Sequence, residues 1–450
     1  MKILVLTPIY PSPSSPEGAT PVVHYFAKEW VRQGHDVHVI RLAAKYPRLY
    51  YWFGRRFHKS LSSKTGMIVP IHVPFVGEGK LDRVVVSHRS YRKIKPHGLY
   101  SKKTIRLIVE DVLLEVEKRG KPDVIIGHWD NPQLEVLSAL HERLCVPTVL
   151  VLHGSGTNLP AKYGNERFRQ LMKGITILGF RNNTAQRLFL NSKLYDIKTF
   201  VAYSGVSEDF IKATPPLRGF EKVDSYIYVG NMISRKYPLT IVEALNDVYG
   251  NELFNITYVG DGEERGAIEH FRDGNSLDNK IHLVGRKTRS EVMDYLKAAD
   301  VFVMISRGEA FGLVYLEAMA MGCIVIASRG EGIDGIVIDG QNGFLCEAGN
   351  KEELSNIINR IRCMNSEELN RISANAIDTA RKFSDSNVAK RYLDDVGTLI
   401  SSSNEKINSL DNNGLGGVIL CRVKSLGLNS VHDFGVLVLG CHLTERRVAA

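Results

Sequence analysis

The chain lacks most of the features that would assign it at sight. Its six cysteines (Cys145, Cys323, Cys346, Cys363, Cys421, Cys441) include no C-x-x-C pair. They read as reduced, mostly buried thiols of a cytosolic protein, which excludes a disulfide framework. No stretch approaches the roughly 18 apolar residues of a membrane span. The apolar start, Ile3 to Leu6, stops at Thr7-Pro8 and is too short for the core of a signal peptide. The turn from Pro11 to Thr20 is not G-x-G-x-x-G, which argues against a nicotinamide dehydrogenase.

What is present is ordinary in amount and uneven in placement. With 450 residues, 44% hydrophobic and 24% charged, the chain is a soluble globular protein of about two domains. Its net charge is +9, yet the window from Arg41 to Arg106 holds 16 basic residues against Glu78 and Asp82. That window alone carries +14 and the remainder about −5. By composition, its partners would be an anionic membrane, a phosphate-rich ligand or nucleic acid.

Short apolar runs alternate with amphipathic helical stretches. Ile3–Leu6, Val37–Ile40, Val124–Ile126 and Val149–Leu152 read as strands, with helices at Val22–Gln33 and Gln133–Arg143. After residue 220 the rhythm restarts with strands at Tyr226–Val229, Asn255–Val259, Ile281–Leu283, Val301–Ile305 and Ile324–Ala327. Helices at Pro238–Val248, Arg289–Ala298 and Val314–Met321 separate them. Runs that are apolar throughout suit parallel strands buried on both faces, so two βαβ series predict two doubly wound α/β domains. The expected division is 1–212, a linker around Pro215-Pro216, 222–384, and a closing helix 385–400 that returns to the first domain. Residues 401–450, rich in Ser, Asn and Gly at their start, are expected to form a disordered or non-native tail.

In open parallel sheets, ligands bind beyond the carboxyl ends of the strands, so the residues following each strand carry the chemistry. Strand 301–305 is followed by Glu309, Phe311, Gly312 and Leu313, then a helix bearing Glu317. Free N–H groups at that helix start favour an anion, and two carboxylates beside it can read vicinal hydroxyls. Together these describe a nucleotide-sugar site, although the spacing alone also fits a solvated loop acid and a helix acid. After strand 226–229, Asn231, Arg235 and Lys236 occupy a turn where a lysine can neutralise a diphosphate; a solvated basic turn is the alternative. His153, with Gly154 and Gly156, ends strand 149–152, and His128 follows strand 124–126. Each histidine either serves the ligand or simply packs.

At this point the residues match a family. Glu309-Ala-Phe-Gly-Leu-Val-Tyr-Leu-Glu317 is E-x7-E with an internal Phe-Gly, followed by Ala318-Met-Ala-Met-Gly322. It resembles the retaining glycosyltransferases of family 4, which have the GT-B fold: two Rossmann-like domains facing across a cleft. Gly34-His-Asp-Val37, Pro122-Asp-Val-Ile125, His153-Gly-Ser155, Gly260-Asp-Gly262 and Gly340-Gln-Asn-Gly343 agree, in family order. The resemblance covers about residues 1 to 400 and is thinnest over 41–120. It implies a sugar moved from a UDP-, GDP- or ADP-linked donor to a saccharide or polyprenyl-linked acceptor, in surface polysaccharide assembly. It implies that Glu317 holds the ribose, and that Glu309, with the backbone at Phe311 and Gly312, holds the donor sugar. Lys236 would stabilise the departing diphosphate, His153 would touch the sugar, and Gly18 and His128 would lie on the acceptor side. No cofactor and no metal are implied, in keeping with the lack of an Asp-x-Asp motif. Two departures stand out: Asn231 replaces a common arginine, and this chain reads Glu331-Gly-Ile-Asp-Gly335 where the family often has Pro-Glu after a Gly-Gly-Ile turn.

Alternatives are a phosphorylase or sugar-phosphate synthase on the same fold, and a nucleic-acid-binding protein using the basic window. That window lacks helix-turn-helix, RNA-recognition and zinc-ligand signatures. It is interleaved with Tyr46, Tyr50, Tyr51, Trp52, Phe53 and Phe57, which suit a bilayer headgroup region. The expectation is a cytoplasmic enzyme docked peripherally on an anionic leaflet.

Overall fold

A computed structural model describes residues 1–13, 21–65, 72–94, 98–215 and 219–411. The first half of the chain runs β1 (Lys2–Thr7), α1 (Val22–Arg32), β2 (Asp36–Lys45), α2 (Arg48–Thr65), β3 (Gly77–Leu81), β4 (Val84–Arg92) and α3 (Lys102–Arg119). It continues through β5 (Val124–His128), α4 (Gln133–Leu144), β6 (Thr148–Leu152), α5 (Leu159–Tyr163) and α6 (Asn165–Met172). β7 (Ile177–Phe180), α7 (Asn183–Ser192), β8 (Lys198–Val201) and α8 (Glu208–Lys212) complete it. These eight strands form one sheet, ordered β3-β4-β2-β1-β5-β6-β7-β8, in which only β3 is antiparallel to its neighbour.

The second half adds β9 (Ser225–Val229), α9 (Pro238–Tyr249), β10 (Asn255–Val259), α10 (Arg265–Gly274), β11 (Ile281–Gly285) and α11 (Arg289–Ala298). Then come β12 (Val301–Val303), α12 (Leu313–Ala320), β13 (Ile324–Ser328), β14 (Phe344–Cys346), α13 (Lys351–Cys363) and α14 (Ser366–Lys382). Its sheet is parallel throughout, ordered β11-β10-β9-β12-β13-β14. Strand order reverses beside β1 in the first sheet and beside β9 in the second. Each reversal opens a crevice at the carboxyl ends, where a doubly wound sheet takes its ligand.

Burial explains why these residues make these strands. Val5, Leu6, Ile125, Ile126 and Val149 to Val151 are fully enclosed, with helices on both faces of the sheet. The last helix, α15 (Asp385–Asp411), lies against the first domain although it follows the second. Val388, Tyr392 and Val396 join the core beneath α1, and Trp30 Nε1 donates to the Ala389 carbonyl at 2.9 Å. The chain thus crosses back and ties the two domains together.

Several expectations need correction. Strands β3, β4, β7, β8 and β14 were not anticipated. β12 ends at Val303 rather than Ile305: Met304 and Ile305 are buried, but there the chain leaves the ladder to build a loop. The expected tail does not begin at residue 401, because α15 runs on to Asp411 and Lys198 Nζ donates to Ser402 Oγ at 2.7 Å. Residues 412–450, the rest of that expected tail, lie outside the described residues.

Candidate functional site

Five strand ends build the site. Past β9 the backbone turns at Gly230 and passes through a single 3-10 turn at Ser234–Lys236 before α9. Past β10, Gly260 at φ +143° packs so closely that a Cβ there would lie 1.9 Å from the Gly230 carbonyl oxygen. The Gly260-Asp-Gly262 motif is therefore a steric requirement of two touching loops. Past β12 the loop carries Glu309 to Gly312, and Gly312, left-handed at φ +80°, opens α12. An L-residue there would be strained, and its Cβ would meet the Tyr315 ring at 2.5 Å. From the first domain, His153 directly follows β6 and Arg181-Asn182 directly follow β7.

Glu309 and Lys236, expected separately, are brought together. Lys236 Nζ lies 3.5 Å from Glu309 Oε2, and an Arg235 guanidinium nitrogen lies 3.9 Å from the same oxygen. Burial pushes the Lys236 ammonium down, and the Glu309 carboxylate opposes that shift. Glu309 Oε2 accepts no hydrogen bond among the described residues, so charge alone holds it. The loop is set by contacts that spacing does not reveal. The Glu331 carboxylate accepts the Glu309 backbone N–H at 2.8 Å, and Arg307 N–H donates to the Arg235 carbonyl at 2.7 Å. Phe311 is buried, whereas Gly312 and Leu313 are partly exposed, so the α12 N-terminus opens on the cleft with its first N–H groups available. Asn231 is exposed on the turn, its carbonyl accepting from Tyr228 Oη at 2.8 Å.

Glu317 sits on the fifth residue of α12, nearly enclosed, and is paired. Arg289 Nε donates to Glu317 Oε1 at 2.8 Å, with a second guanidinium nitrogen at 2.6 Å. Burial pushes the Glu317 carboxyl up and Arg289 pulls it back. Arg289 also donates to Tyr25 Oη of the first domain at 3.1 Å, beside an interdomain cavity of about 440 Å³.

On the first domain, the His153 ring lies flat on Trp129, with centroids 3.7 Å apart and planes 11° from parallel. One of its nitrogens is 3.2 Å from His128 Nδ1. His128, expected on the acceptor side, is instead fully buried between Phe26 and Tyr392. As the last residue of β5 it points inward, under α1 and α15, and reaches the cleft only through His153. Burial first, then the Arg181 charge, pushes both imidazoles well below the ordinary histidine range. Gly18 lies outside the described residues. Arg181, Asn182, Arg289, Tyr25 and Glu331 were missed. Each acts across a domain or loop boundary, which strand-end spacing does not encode.

A model of glycosyltransferase family 4 matches residues 16–193, and one of glycosyl transferases group 1 matches residues 212–379. The chain belongs to glycosyltransferase family 4. An uncharacterised glycosyltransferase of Methanocaldococcus jannaschii is 29% identical over 65% of this chain and 82% of its own length. The putative teichuronic acid biosynthesis glycosyltransferase TuaC of Bacillus subtilis is 25% identical over 75% of this chain and 83% of its own. Among solved structures, Anabaena HepE in complex with UDP superposes over 88% of this chain and all of its own, with TM-score 0.59 at 19% identity. The fold is GT-B and the protein is a transferase enzyme. No helix among the described residues is long and apolar enough to cross a membrane.

Proposed function

We propose that this family 4 glycosyltransferase moves a sugar from a nucleotide-sugar donor to a saccharide or lipid-linked acceptor, with retention at the anomeric carbon. The observation that carries the reading is the Lys236–Glu309 pair beside the open N-terminus of α12. A cation and aligned N–H dipoles there face one place where a diphosphate can sit. Glu309, its Oε2 held by charge alone, accepts from donor-sugar hydroxyls, and Glu317 from the ribose. In the transfer, the acceptor oxygen bonds the anomeric carbon on the face that the phosphate oxygen leaves. The acceptor proton passes to that leaving phosphate oxygen. Lys236 and Arg235 take up the charge that builds on the diphosphate, and His153 lines the reacting face. That HepE was solved with UDP supports a nucleoside diphosphate ligand, and the teichuronic acid biosynthesis role given to TuaC supports a polysaccharide acceptor.

Helix α2 supports delivery of that acceptor at a membrane surface. It buries Tyr51 but exposes Leu49, Trp52, Phe53 and Phe57 by 45–63%, with Arg48, Arg55 and Arg56 also exposed. An aromatic face ringed by cations suits an anionic headgroup layer. The test is a thermal-shift screen against UDP, GDP and ADP, followed by turnover of the matching sugar nucleotides. A nucleotide at about 100 times its Kd adds about 2.7 kcal/mol of stability. No shift with any of the three would overturn the reading; turnover of a sugar phosphate instead would favour a phosphorylase.

A further inference from the structure

Arg181 directly follows β7 and is 2% exposed, a charged side chain enclosed near the junction of the domains. Among the described residues no carboxylate lies within ion-pair distance. Its guanidinium donates to the Ala202 carbonyl and to Ser204 Oγ, and burial pushes its pKa down to about 10. Burying an unpaired cation costs several kcal/mol, so such a group persists where the surrounding structure holds it in place. The guanidinium lies over two rings, Phe26 of the first domain at 5.4 Å and Phe311 of the donor loop at 6.0 Å. The next residue, Asn182, donates its side-chain N–H to the Ala310 carbonyl at 2.5 Å, clamping the same loop.

We propose that Arg181 is a positioning residue for transfer: through Phe26, which it overlies and which stacks on His128, it braces the His128–His153 pair on one side, and it braces Phe311 of the donor loop on the other. Closing the cleft then sets His153 against the sugar held by Glu309. The inference rests on the reading that His153 faces the donor sugar.

Among the described residues, the charged or titratable groups that act on His153 are His128, 3.2 Å away, and Arg181; the Tyr392 ring lies against His128 on its far side. Burial is the main force that holds both imidazoles neutral, and the nearby Arg181 charge adds to it. Removing that charge lets His153 protonate at higher pH, a consequence that a merely structural side chain would not have.

The variants are Arg181→Met and Arg181→Lys, assayed with the sugar nucleotide that the screen identifies. Arg181→Met is expected to lose about 100-fold in kcat, with nucleoside diphosphate affinity within about threefold of native. Its acid limb of kcat/KM should rise by about half a pH unit or more, and Arg181→Lys should return the limb to its native position. Native kcat in a folded Arg181→Met variant overturns the proposal, as does a kcat loss with the acid limb unmoved. Should Arg181→Met not fold, Arg181→Lys decides: a kcat loss with native nucleotide affinity supports bracing by the planar fork, and native kcat refutes it. Native activity in His153→Ala would instead sink the underlying reading and leave Arg181 without a client.

Discussion

Lys236→Met is the perturbation that separates chemistry from scaffolding most cleanly. The substitution keeps most of the side chain's bulk and deletes one charge 3.5 Å from Glu309 Oε2, on side chains only 13% and 17% exposed. Two costs follow, and they differ in size. For the fold, breaking a fully buried pair costs about 3–5 kcal/mol. This pair opens on the cleft, and Arg235 remains 3.9 Å from the carboxylate. The expected loss is therefore about 1–2 kcal/mol, a few degrees in Tm. For the reaction, a preorganised donor facing developing charge contributes about 3–4 kcal/mol, or 100- to 1000-fold in kcat. The assay is donor turnover at saturating substrate, paired with a melting curve. A folded Lys236→Met enzyme with kcat within about threefold of native would refute the argument that Lys236 stabilises the leaving diphosphate.

Other expectations follow from the same geometry. In Glu309→Gln the carboxylate no longer opposes burial at Lys236, so its ammonium loses its proton at lower pH; nucleoside diphosphate affinity, read by calorimetry, should start to fall at lower pH than in the native enzyme. Glu317→Gln keeps the shape but frees Arg289, so nucleotide binding should weaken by about 1.5–3 kcal/mol; unchanged affinity would remove Glu317 from the ribose. Burial raises the Asp385 carboxyl from its ordinary value to about 6. Its neutral form is thus the one the fold favours, and its contribution is present below about pH 4 and lost as pH rises to about 6. Asp385→Asn should erase that trend, gaining on the order of 2 kcal/mol over the native protein at pH 7 relative to pH 4 by denaturant titration. Replacing Trp52, Phe53, Arg55 and Arg56 together should abolish co-sedimentation with anionic liposomes, each basic residue contributing about 1 kcal/mol. Native enzyme that ignores such liposomes at low salt would end the membrane proposal.

The parts of this molecule legible in its sequence share a physical cause. Core strands such as β5, β6 and β13 are buried on both faces, so they appear as unbroken apolar runs. β3, reading Gly-Glu-Gly-Lys-Leu, is an exposed antiparallel edge, and β4 turns polar after its first three residues; neither leaves that signal. The basic window thus contains α2, β3 and β4 whole, with the end of β2 and the start of α3, where composition showed only charge. In the site, Glu309, Glu317, Lys236 and His153 are found because each directly follows a strand, or lies at a fixed offset into the next helix. Arg289 reaches Glu317 from 28 residues away, and Asn182 reaches Ala310 from 128. Such contacts belong to the assembled cleft, and no local spacing records them.

The central claim is that this cleft transfers a sugar from a nucleotide donor with its anomeric configuration kept. It is tested most directly by following one reaction by proton NMR, from an α-linked sugar nucleotide with acceptor present. The account predicts release of nucleoside diphosphate with a product whose first-formed anomeric signal is α. A β product, or donor left intact by an enzyme whose melting point the nucleotide raises, would contradict it.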